Sequence, residues 1–522
     1  MQPSPTSSVP LALIAALSAI VGFVGLQAGA AALAGWVFEY PLDDVYIHLA
    51  MAESLTEGGY GINAGEPASA ASSILYPALL TPFAGSEMQR YMPLVLNAIA
   101  VVLSAVLWGV AIARSGLQGV VAVFLAVIGP LALNMPGVGF TGMENSFHAA
   151  AALATVLGLW TFLRSGQIGA LLILGTLFAP LFRLEGLALS GLACLVLIFK
   201  GHVRAGLALG LATLAPVLAF SGFLMSQGLA PLPGSVIAKV SLAGPEASGL
   251  GRVIRTFLGN VIEPAGALLA LLTLICFLAP ILRLMRENGR GALLLVLGVA
   301  GLAHLIAGQI GWMHRYEHYI IAAQVAGLVL VAGHDRIAQP RAAHVLVIAA
   351  LGFAAWAFWP KLVGNYVWWP RAIGLQQAQM ARFAKDYAQV PVAVNDLGYV
   401  AWQNPNYVLD LYGLGSPEAL EARMAAQTAP GWAGPLARAK GVQLAMIYDS
   451  WFASAVGADW VRLGELTMAP PRNALGDWKV AFYATDPAQA ESLQEKMRAF
   501  AATLPPEASL TIDPAPQSEA TQ

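Results

Sequence analysis

Apolar runs long enough to cross a bilayer recur along the first 360 residues: 10–34, then about 91–113, 117–134, 145–163, 167–182, 184–199, 205–226, 261–284, 291–311, 317–333 and 343–360. A hydrocarbon core about 30 Å thick demands about 20 apolar residues in a helix. The composition agrees, with 58% of residues hydrophobic and 11% charged, where a soluble domain is about a quarter charged. The chain therefore reads as an α-helical polytopic membrane protein of roughly eleven transmembrane helices. The stretch 167–199 is broken only by Arg183 and Glu185, and reads as two short helices meeting at that pair. Met1–Val9 carries no Lys or Arg, and the run after it is too long for a signal sequence, so an uncleaved first helix is expected.

Charge sets the expected orientation. Arg114, Arg164, Lys200, Arg204, Arg283, Arg286, Arg290, Arg336 and Arg341 fall in alternate short loops, which the positive-inside rule makes cytoplasmic. The N-terminus is then inside. Residues 35–90, 135–144, 183–185, 227–260 and 311–318 face out, as does the C-terminal region. A net charge of −2 gives no reason to expect nucleic acid. The two cysteines, Cys194 and Cys276, sit in apolar runs and offer no disulfide framework.

From about Asn365 the pattern changes to short β-prone runs at 390–395, 407–412, 442–448, 461–468 and 479–484, with helix-like stretches at 418–426 and 488–503. This predicts a small α/β domain over 365–503 behind a membrane domain over 1–364, with 504–522 a disordered tail.

The chemistry-bearing residues crowd the expected outer side. Glu39–Leu49, EYPLDDVYIHL, places Asp43 and Asp44 side by side directly after the first helix, in a long acidic loop spanning 35–90. Ionisable groups this close to hydrocarbon are costly unless used. Asp44 is positioned to cap a helix starting near Val45, which leaves Asp43 to face a cavity. His48 follows as a proton-transfer or phosphate partner, or simply a satisfied polar group. Glu144, in TGMEN, starts a span and is either a second cavity acid or a complement to the helix dipole. Arg183 and Glu185 must face protein or water. Lys239, His314 and Arg315 lie in outer loops, where cations suit an anionic phosphate or act as interfacial anchors. Asp396 and Asp410 end predicted strands, which turn geometry explains by itself. A divalent metal is possible if Asp43, Asp44 and Glu144 converge, since hard cations take carboxylate oxygens; no cofactor is otherwise implied.

An aspartate pair reading DDxYIHL immediately after the first membrane helix resembles the GT-C glycosyltransferases, and more closely the bacterial arabinofuranosyl- and mannosyltransferase type. Supporting pieces are Asn63–Glu66 (N-A-G-E), Ser72–Leu75, Gly142–Glu144, Arg183–Gly186, Leu232–Lys239, Arg315–Tyr316, Asp396–Gly398 and Asp410–Gly413. The chain departs from the family at Leu184, where Pro is common, and at Pro233–Gly234, where Pro-Asn is common. The resemblance implies transfer of a sugar from a polyprenyl-phosphate donor to a cell-envelope glycan or glycolipid at the outer face of a bacterial inner membrane. It also implies Asp43 as general base with Asp44 positioning it, and an extracytoplasmic C-terminal domain shaping acceptor binding. The chemistry is coherent. A sugar hydroxyl needs a carboxylate to take its proton, and a departing lipid phosphate needs positive charge rather than a general acid. Two other classes fit the composition: a transporter or flippase of a lipid-linked glycan, and a non-enzymatic envelope assembly protein. Transporters usually show matched halves with broken helices, and no such symmetry is evident.

Overall fold

The computed structural model describes residues 8–241, 249–281, 289–332, 340–426, 429–473 and 476–514. Every apolar run forms helix, but fewer of them span than expected. Among the described residues seven helices are long and apolar enough to cross a membrane, or up to eight if one bent pair counts as a span. The roughly eleven expected need correcting for a physical reason. Ala170–Phe182, Gly186–Phe199 and His318–Ala332 have 13, 14 and 15 residues, so each is only about 20–22 Å long. In His318–Ala332 every residue is buried. A helix wrapped by other helices need not match the bilayer, so its apolar content reports protein packing rather than lipid contact.

The bundle closes at small residues. Asn145–Ser165 is nearly all buried at its centre. A Cβ on Gly158 would lie 2.2 Å from the Leu172 nitrogen, and one on Gly175 would lie 2.5 Å from Thr155. These two glycines let Asn145–Ser165 and Ala170–Phe182 approach backbone to backbone, the usual device where lipid supplies no hydrophobic drive. Leu250–Ile262 meets Pro264–Pro280 at 106°. Its Leu250, Ile254, Leu258 and Ile262 are exposed at four-residue spacing, an apolar stripe suited to lying along a membrane surface.

Asp44–Thr56 is different. Val45 to Ala52 are consecutively buried, because this short helix is held between the bundle and the C-terminal domain. That domain is a six-stranded sheet: β1 Val392–Val394, β2 Val408–Asp410, β3 Leu444–Ile447, β4 Val461–Met468, β5 Lys479–Ala484 and β6 Ala508–Ile512. The order is β2-β1-β3-β5-β4-β6, with β1 parallel to β2 and β3 and the other pairs antiparallel. β1, β2 and β3 are buried throughout, as parallel strands covered on both faces must be. The stretch from Leu504 is not the disordered tail expected, because β6 completes the sheet against β4, pairing Ala508 to Ile512 with Met468 to Gly464. Residues 515–522 of that tail lie outside the described residues, as do Arg283, Arg286 and Arg336.

The first loop is stitched to this domain. Asn63 donates Nδ2 to the Val408 carbonyl at 2.9 Å and accepts the Val408 N–H at 2.8 Å, so its side-chain amide covers the open edge of β2. Glu39 accepts from Tyr46, Arg90 and Tyr399, and the Tyr46 and Tyr399 rings lie 4.0 Å apart.

Candidate active site

The C-terminal ends of the parallel strands point at the bundle. In open sheets ligands collect at that edge, where strand order reverses, and here β1 lies between β2 and β3. Asn395 and Asp396 follow β1, Asp410 ends β2 and Tyr448 follows β3. Opposite them stand the first-loop helix, the Arg183 junction and the 311–317 loop. The groups enclose a cavity of about 530 Å³ lined by residues from each of these segments, including Asp43, Asp44, His48, Ser72, Arg183, Arg315, Tyr316, Asn395, Asp396 and Asp410.

The aspartate pair is divided. Asp43 is 2% exposed, and its Oδ2 and Oδ1 accept the backbone N–H groups of Gly398 at 2.6 Å and Tyr399 at 2.9 Å. Burial, and then the Asp396 and Asp44 charges, push its carboxyl well above the usual range against those two bonds. Asp44 does not cap the helix with its side chain, as expected from its position; Asp43 occupies the cap position and makes no cap bond either. Asp44 instead pairs through Oδ2 with Arg315 Nη2 at 2.5 Å, its side chain 30% exposed. The expected commitments are thus exchanged. The nearest helix start is a weaker claim on a carboxylate than two amides from the C-terminal domain or a buried guanidinium.

Arg315 is 3% exposed. Its Nη2 is satisfied, while Nε and Nη1 are buried without a hydrogen-bond partner among the described residues. The loop that presents it is unusual: Gly311, Trp312, Met313 and His314 all have positive φ, between 47° and 95°. Non-glycine residues there cost about 1–3 kcal/mol each and persist only where surroundings hold them. Glu317 does the holding. It accepts the Gly311 N–H at 2.9 Å and lies 3.1 Å from His314 Nδ1. Tyr366 donates to the Met313 carbonyl, and Asn145 donates to that of Arg315 at 3.1 Å. His314, expected to bind substrate, is spent on Glu317 and packs on Phe358; it does not line the cavity.

A second polar group sits behind. Glu144 is fully buried and accepts Ser72 at 2.7 Å and Arg183 Nη1 at 2.8 Å, with His48 Nε2 at 3.3 Å. Burial alone would raise the Glu144 pKa, but His48, Arg183 and Ser72 outweigh it and hold the carboxyl well below its ordinary range. Glu144 is therefore an anchor rather than a cavity acid. Arg183 lines the cavity, yet its other arm is on Glu185 at 2.7 Å. Arg183 and Arg315 each lie 5.1 Å from the centre of the Tyr316 ring. His48 also lines the cavity, and its Nδ1 is buried without a hydrogen-bond partner among the described residues. Lys239 belongs to the helix Gly234–Ser241, but its side chain is outside the described residues. Asp43, Asp44 and Glu144 do not converge as a metal site would require: the first is on amides, the second on Arg315, the third on Arg183. Among the described residues no group of three acid, histidine or cysteine side chains is placed to hold a metal ion.

Asp396 and Asp410 are more than turn residues. Asp396 Oδ2 accepts Gln377 at 2.7 Å and Tyr448 at 2.8 Å, and burial raises its pKa against both bonds. Asp410 accepts the N–H groups of Tyr412, Leu414 and Gly415, while burial lifts its carboxyl to about 6. Asn395 belongs to the NDLG stretch that the sequence explains as a turn at a strand end, and Tyr448 and Gln377 carry no sequence signal of their own. The available signal was two acids ending strands of a parallel pair.

A family profile described as "Domain of unknown function (DUF8728)" matches residues 370–483. No curated protein matches the chain. Among solved structures, the chain is similar to the oligosaccharyltransferase of Archaeoglobus fulgidus, crystallised in complex with Zn and sulfate, with 13% identity over 96% of this chain and 75% of that one at a TM-score of 0.48. It is also similar to ArnT from Cupriavidus metallidurans in the apo state, with 14% identity over 92% of this chain and 98% of that one at a TM-score of 0.41.

Proposed function

We propose that the protein is a membrane glycosyltransferase that moves a sugar from a polyprenyl-phosphate donor to a glycan or glycolipid at the outer face of a bacterial inner membrane. The observation that carries this is Arg315: a buried guanidinium with two N–H-bearing atoms unpartnered among the described residues, on the wall of a cavity that also holds Asp43 and Asp44. Buried donors are nearly always satisfied in folded proteins, and a guanidinium edge fits phosphate oxygens in bidentate fashion. The first-loop motif, which resembles GT-C enzymes, points the same way. The acids stand at one end of the bundle beside a folded domain, a poor place for the mid-membrane ion site of a transporter.

Asp44 takes the role of base in this reading, in place of Asp43. Both Asp43 oxygens hold backbone amides, whereas Asp44 lines the cavity with a side chain 30% exposed and hydrogen-bonded only through Oδ2 among the described residues. The acceptor hydroxyl gives its proton to Asp44 as its oxygen bonds the anomeric carbon. The bond from that carbon to the phosphate oxygen breaks, and the electron pair leaves with the polyprenyl phosphate, whose charge Arg315 balances. Asp43 positions the C-terminal domain. The test is lipid analysis of a strain lacking the protein. A polyprenyl-phosphate sugar should accumulate while one envelope glycan shortens; unchanged lipids and glycans would end this reading.

A further inference from the structure

The cavity rim carries two indoles that the chemistry above does not use. Trp312 comes from the left-handed loop beside Arg315 and Trp451 from the helix after β3, and each is 43% exposed. Both line the cavity. Trp451 packs edge-on against Tyr448 at 5.4 Å, and Tyr448 holds Asp396, so the ring and the carboxylate are fixed by one side chain. Beside them, Asn395 is 5% exposed. Its Oδ1 accepts the Tyr448 N–H at 2.7 Å, which fixes the amide's orientation. Its Nδ2 is left buried without a partner among the described residues. An orphan donor, a carboxylate hydrogen-bonded through only one oxygen among the described residues, and two flat apolar faces thus line one cavity, Trp312 across it from the other three.

These are the requirements of a sugar ring. Its hydroxyls both donate and accept, and its C–H face packs on an aromatic plane. A phosphate finds no cation among these four residues. A lipid tail would leave the Asn395 donor unsatisfied, at a cost. We propose that Trp312, Trp451, Asn395 and Asp396 form the acceptor subsite, and that the acceptor ends in an uncharged sugar ring rather than a peptide or a lipid alcohol. This rests on the transferase reading for the word acceptor, but the binding site stands or falls by itself.

The experiment uses the full chain in lipid nanodiscs. Saturation-transfer NMR is recorded with short oligosaccharides of arabinose, mannose, glucose and galactose. At least one should show transfer to its ring protons. Trp451→Ala should weaken its binding about tenfold, with Trp451→Phe restoring most of it. Asn395→Asp keeps the acceptor for Tyr448, removes the donor, and should weaken binding likewise. Thermal stabilisation by undecaprenyl phosphate, read in parallel, reports folding and the Arg315 side and should not change in these variants. If no oligosaccharide binds, or binding survives Trp312→Ala with Trp451→Ala, the subsite is wrong. Trp451-dependent sugar binding without any transferase activity would overturn the proposed function and leave the subsite intact.

Discussion

Asp43 and Asp44 are adjacent in sequence and held by opposite partners, one by amides of the C-terminal domain and the other by Arg315. Their substitution should therefore separate position from chemistry. Asp44→Asn removes the proton acceptor and should lower kcat by about 10²–10⁴-fold. In Asp43→Asn an amide group is turned toward one of two N–H donors, which should weaken domain docking by about 1–3 kcal/mol yet leave turnover far above that of Asp44→Asn. Sugar transfer and thermal unfolding of each purified variant decide between them, and a dead Asp43→Asn beside an active Asp44→Asn would reverse the assignment. Asp410 gives a pH prediction. Its carboxyl is lifted to about 6 in the folded domain, against about 3.9 unfolded. The folded state therefore holds this proton more tightly. Its contribution is complete below about pH 4 and is lost as pH rises through about 6, on the order of 2–3 kcal/mol. Asp410→Asn should flatten the pH 4–6 slope of the unfolding midpoint, and an unchanged slope would assign it elsewhere.

At the scale of elements, the contact between Asp44–Thr56 and the short helix Gly398–Ala401 joins the two domains. Only glycine fits at its centre, since a Cβ on Gly398 would lie 2.1 Å from the Asp43 carbonyl and 2.8 Å from its Oδ2. Gly398→Ala should break the docking while both domains stay folded. Hydrogen exchange at the Gly398 and Tyr399 amides should become faster and activity fall; protection equal to wild type would contradict this. The sequence carried the positions of the helices well, because apolar runs follow from burial whether in lipid or protein. For the same reason it overstated the number of spans: His318–Ala332 is apolar from being surrounded. It also supplied five of the six strands. β6, ASLTI, alternates apolar and polar residues with burial to match, but five residues in a proline- and acid-bearing stretch carry that period weakly, and its pairing with β4 is a tertiary fact. The division of labour at Asp43 and Asp44 was likewise illegible. Capping rules are local, whereas Gly398 lies 355 residues from Asp43.

For the whole molecule, the loops grouped by alternating basic residues do meet. Segments around 43–48, 70–72, 143, 183, 235–238 and 309–316 line one cavity with the C-terminal domain, while Arg164 and Lys200 flank other loops. Together with the basic loops of the sequence, this arrangement carries the proposal that the C-terminal domain is extracytoplasmic. Gln167→Cys and Glu491→Cys, both at exposed positions, should label from opposite sides of intact cells with an impermeant thiol reagent, and labelling from one side would refute the orientation. The central claim, that a lipid phosphate is bound by Arg315 and departs from a sugar, is tested most directly by purified protein given a radiolabelled polyprenyl-phosphate sugar and an envelope-glycan acceptor. Wild type should transfer label. Arg315→Ala should lose about 10²–10³-fold in kcat, the scale of one charge-stabilising donor at a developing anion. Equal transfer by Arg315→Ala and wild type would contradict the account.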